Sequence, residues 1–316
     1  MRIVFLGTPD FSVPPLEALH GGGHDVVLVV SRPDMRRGRG RRPAPTPLKA
    51  AALRMGLPVY QPPTVNEPCA VERLRGARPD VGVVVAYGEV LKREVLSVPR
   101  EGFLNLHASL LPKYRGAAPI NWAIIQGETE TGVTVQRMTP ELDAGAILAQ
   151  QSVTIGEDDT AGDLHDRLCE RGTELLLDVV QRLSRGEALH ERPQDPAQMS
   201  YAPKLTKQDG YIEWHRTAAE LRNRVRGLTP WPGAFCCFVG RDRTEDVTVL
   251  EVALGPTSDG TVAPGTVLSA DDREGIVVQT GQETVIIEKL KPASGRAMTA
   301  ADFVHGHAVA PGDRFV

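Results

Sequence analysis

The chain has 316 residues, 41% apolar and 24% charged, with a formal net charge of −4. That length suits two domains or one large one with a full hydrophobic core, and the charge excludes wholesale coating of nucleic acid while allowing a local basic site. Cys69, Cys169, Cys236 and Cys237 show no C-x-x-C spacing, and no histidine completes a zinc pattern. The opening MRIVFLG is too quickly broken for a signal peptide, and no apolar run approaches the roughly 20 residues of a membrane helix, so a cytoplasmic protein with reduced thiols is expected.

In chain order, residues 3–6, 25–30 (DVVLVV) and 80–87 (DVGVVVAY) read as strands. Past the leading Asp25 and Asp80 they are apolar runs, as suits parallel strands covered on both faces. Helix candidates lie between them at 15–19, 47–55 and 71–75, and this β-α-β rhythm predicts a Rossmann-like, doubly wound α/β sheet. Residues 103–111 (FLNLHASLL) read as a strand running into a loop, 119–126 as a helix, and 132–138 and 146–155 as strands. Thr160 is placed to cap a long helix whose Leu164, Leu168, Leu175, Val179 and Leu183 share a face, with Gly186 as its stop. From 188 to 208 the periodicity fades and prolines collect. Beyond lie short strands with turn signals: GAFCCFV, DVTVLEV, GTVLS, GIVVQT and TVIIEKL. They predict a small OB-like β-barrel with one helix at 217–226 and another from Thr299, where Asp302 completes a possible capping box. The expected organisation is an α/β domain over 1–189, a linker over 190–207 and the barrel domain over 208–316.

Asn105 and His107 are two apart on a predicted strand, so they point to one side while Leu104 and Leu106 pack on the other. A carboxamide N–H can hold a developing oxyanion, and an imidazole beside it can donate to that oxyanion or shuttle a proton. By itself N-x-H is common, and a half-buried histidine is usually a hydrogen-bonded core residue. The stretch that follows, from Ser109 to Ile120, carries a proline stop, a glycine hinge and the cations Lys113 and Arg115 just past the strand end. Ligands of open α/β sheets bind there, although composition alone equally allows a plain connection. Asp143, ahead of Ala144-Gly145, reads as a turn residue. Neither G-x-G-x-x-G nor a P-loop is present after Gly7, so no dinucleotide is expected.

Residues 32–42 (RPDMRRGRGRR) hold six arginines and are followed by Pro43, Pro45 and Pro47. Such a segment cannot bury itself and is expected to be exposed and mobile. A solvated loop is the ordinary reading of a charge run, but one-sided charge directly after the second strand suits phosphate contact. In the last domain Arg222, Arg224, Arg226, Lys289 and Lys291 read as solvated charges that could track phosphates. His305-Gly306-His307 lacks a third ligand and reads as surface.

The run NLHASLLPKYRGAAPI, from Asn105 to Ile120, resembles the signature of the folate-dependent formyltransferases. Gly132-Val133-Thr134 followed by Leu142-Asp143-Ala144-Gly145 resembles the partner motif that supplies that family's catalytic aspartate. Gly7-Thr8-Pro9-Asp10-Phe11, Gly38-Arg39-Gly40 and Trp231-Pro232-Gly233 narrow the resemblance to the methionyl-tRNA formyltransferases, with the motifs in order over nearly the whole chain. Ala108 stands where the family commonly has glycine, a small change.

The resemblance implies transfer of a formyl group from the co-substrate 10-formyltetrahydrofolate to the amine of methionyl-initiator tRNA, for translation initiation, without a metal. Asn105 and His107 would polarise the formyl group, and Asp143 would orient His107 or a water and assist proton movement. Ser109, Leu110, Leu111 and Pro112 would line the folate site, with the backbone of Val85, Ala86, Tyr87 and Gly88 as the pterin wall. Arg36, Arg37, Arg39, Arg41 and Arg42 would contact the tRNA acceptor stem, Arg39 foremost, and the barrel would add further tRNA contacts. The enzyme is expected to be a monomer with no membrane association. The alternative is the same catalytic domain acting on a small amine such as an amino-sugar nucleotide, because residues 113–137 are also similar to sugar-nucleotide formyltransferases. A non-catalytic RNA-binding protein is disfavoured by Asn105, His107 and Asp143.

Overall fold

A computed structural model describes residues 1–37, 42–271, 273 and 275–316. The chain forms two compact units, each assembled from separated segments. The first comprises Met1–Pro119, Glu130–Thr154 and His165–Pro203; the second comprises Ile120–Thr129, Ile155–Leu164 and Lys204–Val316.

The strands of the first unit are β1 (Arg2–Gly7), β2 (Asp25–Val30), β3 (Met35–Arg37), β4 (Arg42–Ala44), β5 (Val59–Tyr60) and β6 (Val81–Val85), then β7 (Phe103–His107), β8 (Arg115–Gly116), β9 (Glu130–Arg137), β10 (Ile147–Thr154) and β11 (Tyr201–Ala202). Seven of them form one sheet in the order β10-β9-β7-β6-β1-β2-β5. The pairs β1/β2, β1/β6, β2/β5 and β6/β7 are parallel, and β9 and β10 are added antiparallel. The apolar runs explain this placement: every residue of β6 and β7 is buried, which requires cover on both faces. One core cluster gathers Val4, Leu6, Leu28, Val30, Leu74, Val84, Leu91 and Phe103. Tyr87, expected only as backbone wall, sends its ring into that cluster and is 1% exposed. Burial pushes its hydroxyl up to about 12.

Helices α1 (Val13–Gly21), α2 (Pro47–Arg54), α3 (Pro68–Gly76) and α4 (Arg93–Leu96) belong to this unit. Thr46 begins α2 by accepting from Lys49 N, with Pro47 at the first helical position, where its missing N–H is no loss. Helix α5 (Pro119–Ile125) falls almost wholly in the second unit, and α6 (Ala161–Ser184) supplies residues to both. Thr160 and Asp163 close a reciprocal capping box at the start of α6, and Gly186 follows its end with φ +73. The buried face of α6 differs from the expected one. Leu164, Leu168, Leu176, Val179 and Val180 are buried, while Leu175 and Leu183 are only half-buried. The row of every fourth residue from Leu164 includes Gly172, where a Cβ would come 2.9 Å from Leu106 of β7. This close approach turns Leu176 inward instead of Leu175.

The stretch after α6 is bonded into the first unit. Arg192 exchanges two backbone hydrogen bonds with Ile147, at 2.8 and 2.9 Å, and β11 pairs with β8. The basic segment likewise departs from a plain loop: β3 and β4 pair antiparallel, with Arg36 opposite Pro43 and Arg37 opposite Arg42.

The second unit contains α7 (Ala218–Gly227), β12 (Ala234–Val239), β13 (Thr244–Leu254), β14 (Val267–Asp271), β15 (Gly275–Gln279), β16 (Thr284–Pro292), β17 (Met298–Thr299), α8 (Ala300–His307) and β18 (Arg314–Phe315). Its strands run β14-β15-β16-β13-β12-β18, all neighbours antiparallel, and a bridge from Thr266 to Arg314 brings the two ends of that path together. The result is a nearly closed barrel, which leaves little open edge. Alternation along β12 turns Ala234, Cys236 and Phe238 inward, so Cys236 and Cys237 face opposite ways, and both are free thiols. Phe238 packs against Phe303 and Phe315, with ring centroids 5.4 and 5.1 Å apart.

The helix arginines of this unit are bound within it rather than extended as free cations. Arg222 pairs with Asp158 at 2.8 Å, Arg224 donates to the Asp209 carbonyl at 2.7 Å, and Arg226 donates to that of Gly156 at 3.0 Å. His307, expected on the surface, stacks on Phe303 at 3.9 Å and meets Glu245 at 3.2 Å, while His305 is exposed.

Candidate active site

The site is built where β7 ends. The strand alternation delivers Leu104 and Leu106 to one face and Asn105 and His107 to the other, with Asn105 8% and His107 6% exposed. His107 Nε2 lies 2.9 Å from the Tyr114 carbonyl. A carbonyl only accepts, so this contact assigns the ring proton to Nε2 and leaves Nδ1 unprotonated in the neutral ring. Nδ1 faces Asp143 Oδ2 at 3.7 Å.

Asp143 comes from the turn between β9 and β10, with φ +47, a left-handed conformation that costs a non-glycine residue about 1 kcal/mol or more. Its carboxylate is 11% exposed and takes three hydrogen bonds. Asn105 Nδ2 donates to Oδ1 at 3.3 Å, Gln136 Nε2 donates to Oδ1 at 3.1 Å, and the Gly116 N–H donates to Oδ2 at 2.9 Å. The carboxamide of Asn105 carries two N–H bonds, one of them spent on Asp143. A second remains without a partner among the described residues. Asn105, His107 and Asp143, assigned together from sequence, are therefore neighbours in space.

The segment Ser109, Leu110, Leu111, Pro112 is pinned to β9. Thr134 Oγ1 donates to the Ser109 carbonyl at 2.6 Å and accepts from Leu111 N at 3.2 Å, and Ser109 Oγ donates to the Lys113 carbonyl at 2.6 Å. A hollow of about 560 Å³ runs along β10, lined by Leu110, Ile147, Gln150, Ser152, His190 and Arg192 among others, and Leu110 is the one expected folate-lining residue that reaches it. Val85 ends β6 and Ala86, Tyr87 and Gly88 follow it: Ala86 and Gly88 are exposed, Val85 and Tyr87 buried. Thr8 donates to the Tyr87 carbonyl at 2.9 Å, tying the Gly7-Thr8 motif to this wall.

Arg36, Arg37 and Arg42 lie on the limbs of the β3/β4 hairpin; Arg39 and Arg41, with the motif Gly38-Arg39-Gly40, lie outside the described residues. The root of the hairpin is cross-linked. Arg32 pairs with Glu89 at 2.6 Å, Lys49 pairs with Asp34 at 2.6 Å, and Gln61 donates to Asp34 and to the Arg32 carbonyl at 2.7 Å each. Glu89 also accepts from Thr64, Val65 N and Asn66. It directly follows the wall residues, so wall and hairpin root share one network.

Sequence reading missed two residues. Gln136 sits on β9 beside Asp143. Gln194, in the stretch read as a linker, donates to the carbonyls of Asp143 and Gly145 at 2.8 and 2.7 Å. Gln136 lies next to recognisable motif residues, which is a weak signal; a lone glutamine in a proline-rich stretch gives none. Among the described residues no group of three or more His, Cys, Asp or Glu stands together as a metal site, and no helix is long and apolar enough to cross a membrane.

Residues 1–180 match the family described as formyl transferase, and residues 204–308 match formyl transferase, C-terminal domain. The methionyl-tRNA formyltransferase of Citrifermentans bemidjiense is 45% identical over 312 residues, covering 99% of this chain and 95% of that protein. The chain belongs to the methionyl-tRNA formyltransferase family. A second member, from Heliobacterium modesticaldum, is 43% identical across the full length of both chains. Solved structures share the fold at low identity. HypX from Aquifex aeolicus, in complex with tetrahydrofolic acid, superposes with a TM-score of 0.62 at 19% identity, over 96% of this chain and 47% of that one. An N-formyltransferase from Helicobacter canadensis, in complex with folinic acid and dTDP-3-aminofucose, gives 0.66 at 17% identity, over 91% and 99%. Membership in this family brings the α/β domain and the barrel-shaped C-terminal domain under one activity, formyl transfer.

Proposed function

We propose that the chain transfers the formyl group of 10-formyltetrahydrofolate to the free amino group of methionyl-initiator tRNA, giving N-formylmethionyl-tRNA. The observation that carries this reading is the match along the whole chain, C-terminal domain included, to relatives named methionyl-tRNA formyltransferase. The chemistry assigned to the site is consistent with it. The neutral amine attacks the formyl carbon, forming a C–N bond, and the carbonyl oxygen becomes an oxyanion. The second N–H of Asn105 hydrogen-bonds that oxyanion, joined by His107 Nδ1 once it has taken the proton that the attacking amine loses. Collapse breaks the bond between the formyl carbon and N10 of the folate. N10 gains the proton that the amine loses, with Asp143 and His107 Nδ1 as the relay. Catalysis requires only that these bonds strengthen as charge develops.

Ser109, Leu110, Leu111 and Pro112, with the backbone of Val85, Ala86, Tyr87 and Gly88, are assigned to the folate, and Arg36, Arg37, Arg39, Arg41 and Arg42 to the acceptor end of the tRNA. The protein works in the cytoplasm as a monomer. The test is a formyl-transfer assay with 10-formyltetrahydrofolate and methionyl-initiator tRNA beside an amino-sugar nucleotide. Transfer to the charged tRNA alone is expected. Transfer to the sugar alone would overturn the choice of acceptor while leaving the formyl chemistry in place. In the same assay Arg39→Ala should weaken use of tRNA and leave folate binding largely unchanged; equal loss of both would contradict its assignment to RNA.

A further inference from the structure

We infer that Gln194 is a positioning residue: its side-chain amide holds the backbone of Asp143 in the conformation that aims the carboxylate at Asn105 and His107. This rests on the role proposed above for Asp143.

A non-glycine residue at φ +47 stays there only if its surroundings over-determine it. The three hydrogen bonds to the carboxylate fix where the side chain ends, not how the backbone turns. The backbone is fixed from the other side. Gln194 Nε2 lies 2.8 Å from the Asp143 carbonyl and 2.7 Å from that of Gly145, so its two N–H bonds can each serve one carbonyl across the turn. A longer contact of 3.3 Å reaches Gln136 Oε1, whose own amide donates to the Asp143 carboxylate. The tightness of the turn leaves little room for an alternative, because a Cβ on Gly145 would lie 1.6 Å from the Arg137 carbonyl oxygen.

Gln194 is itself held. Its Oε1 accepts from Arg115 Nε at 3.1 Å and Nη2 at 2.7 Å. Arg115 is 9% exposed, its third nitrogen faces Met199 Sδ at 3.2 Å, and no carboxylate lies within ion-pair distance of it among the described residues. A buried guanidinium without a counter-charge is costly, and a forked hydrogen bond to a carboxamide recovers part of that cost. Drawing electron density toward Oε1 also makes the amide N–H a stronger donor toward the two carbonyls. The next residue, Gly116, gives its N–H to Asp143 Oδ2, and β8 pairs with β11 in the same segment as Gln194. One stretch of chain thus grips Asp143 by its carbonyl and supports the strand that grips its carboxylate.

The experiment measures kcat, both KM values and the thermal midpoint of the full chain, with 10-formyltetrahydrofolate and charged initiator tRNA, for Gln194→Ala, Gln194→Glu, Asp143→Ala and the Gln194→Ala/Asp143→Ala pair. Gln194→Glu keeps an acceptor for Arg115 and removes the donor, so it isolates the donor even if Gln194→Ala folds poorly. Both Gln194 variants are expected to lower kcat about 10- to 100-fold with each KM within about twofold. In the Asp143→Ala background, Gln194→Ala should cost nothing further. Wild-type kcat in Gln194→Glu would overturn the donor role, and a full additional loss in the Asp143→Ala background would mark Gln194 as a merely structural pin. Loss of turnover in Asp143→Ala with none in Gln194→Ala would sink the positioning alone. Wild-type turnover in Asp143→Ala would sink the role of Asp143 and this inference with it.

Discussion

At the scale of single residues, the chemistry proposed for this chain depends on which atoms are already committed. His107 spends Nε2 on a backbone carbonyl, so its remaining nitrogen has one task. His107→Ala and Asp143→Ala should each cut turnover about 100-fold or more while the chain still folds, because their proposed roles concern charge that develops in the transition state. Turnover close to wild type in either variant would remove the mechanism. The cysteines give a second prediction. Burial pushes the Cys169 thiol up to about 11 and the Cys236 thiol further, and the thiolate is the reactive form. At neutral pH iodoacetamide should therefore label exposed Cys69 first and leave Cys169 and Cys236 unlabelled until the protein unfolds; peptide mapping by mass spectrometry reads the order.

At the scale of elements, the turn between β9 and β10 is the least tolerant part of the site. Gly145→Ala sets a methyl group against a backbone carbonyl that cannot swing aside. It should destabilise the protein by about 1–3 kcal/mol and lower kcat at the same time. A thermal melt and a turnover assay on the same preparation check both, and an unchanged kcat would show that the turn has room to relax. This turn also marks where sequence reading stops. β1, β2 and β6 were legible as apolar runs, the two-residue β5 was not, and Asn105 and His107 were legible because a two-residue spacing on a strand fixes a shared face. Asp143 by composition is a turn residue before Ala-Gly, and only motif resemblance singled it out. Gln194 was invisible, since its contacts join positions about 50 residues apart. The face of α6 was misjudged by one residue because leucines at 175 and 176 fit the helical period about equally well, and the decision lay in the close approach at Gly172. The arginines of α7 look alike on paper, yet Arg224 and Arg226 are spent on carbonyls that only the folded unit brings near.

At the scale of the whole molecule, a net charge of −4 coexists with six arginines in residues 32–42. A polyanion is therefore attracted locally and repelled elsewhere, and its binding should weaken steeply with salt as counterions are no longer usefully released. The KM for charged tRNA is expected to rise sharply between low and physiological ionic strength while the KM for the folate donor changes little. Parallel salt curves for the two substrates would argue against assigning Arg36, Arg37, Arg39, Arg41 and Arg42 to RNA.

The division of the chain has a consequence for its biosynthesis. The unit that holds Asn105 and His107 ends only at Pro203, after two segments belonging to the other unit have been made. A ribosome delivers the chain from its N-terminus, so β7 emerges long before Gln194 and β11. A nascent chain released after residue 189 would carry all three proposed catalytic side chains but lack the segment that grips the turn of Asp143. Activity should therefore appear late in synthesis, as a step rather than a gradual rise.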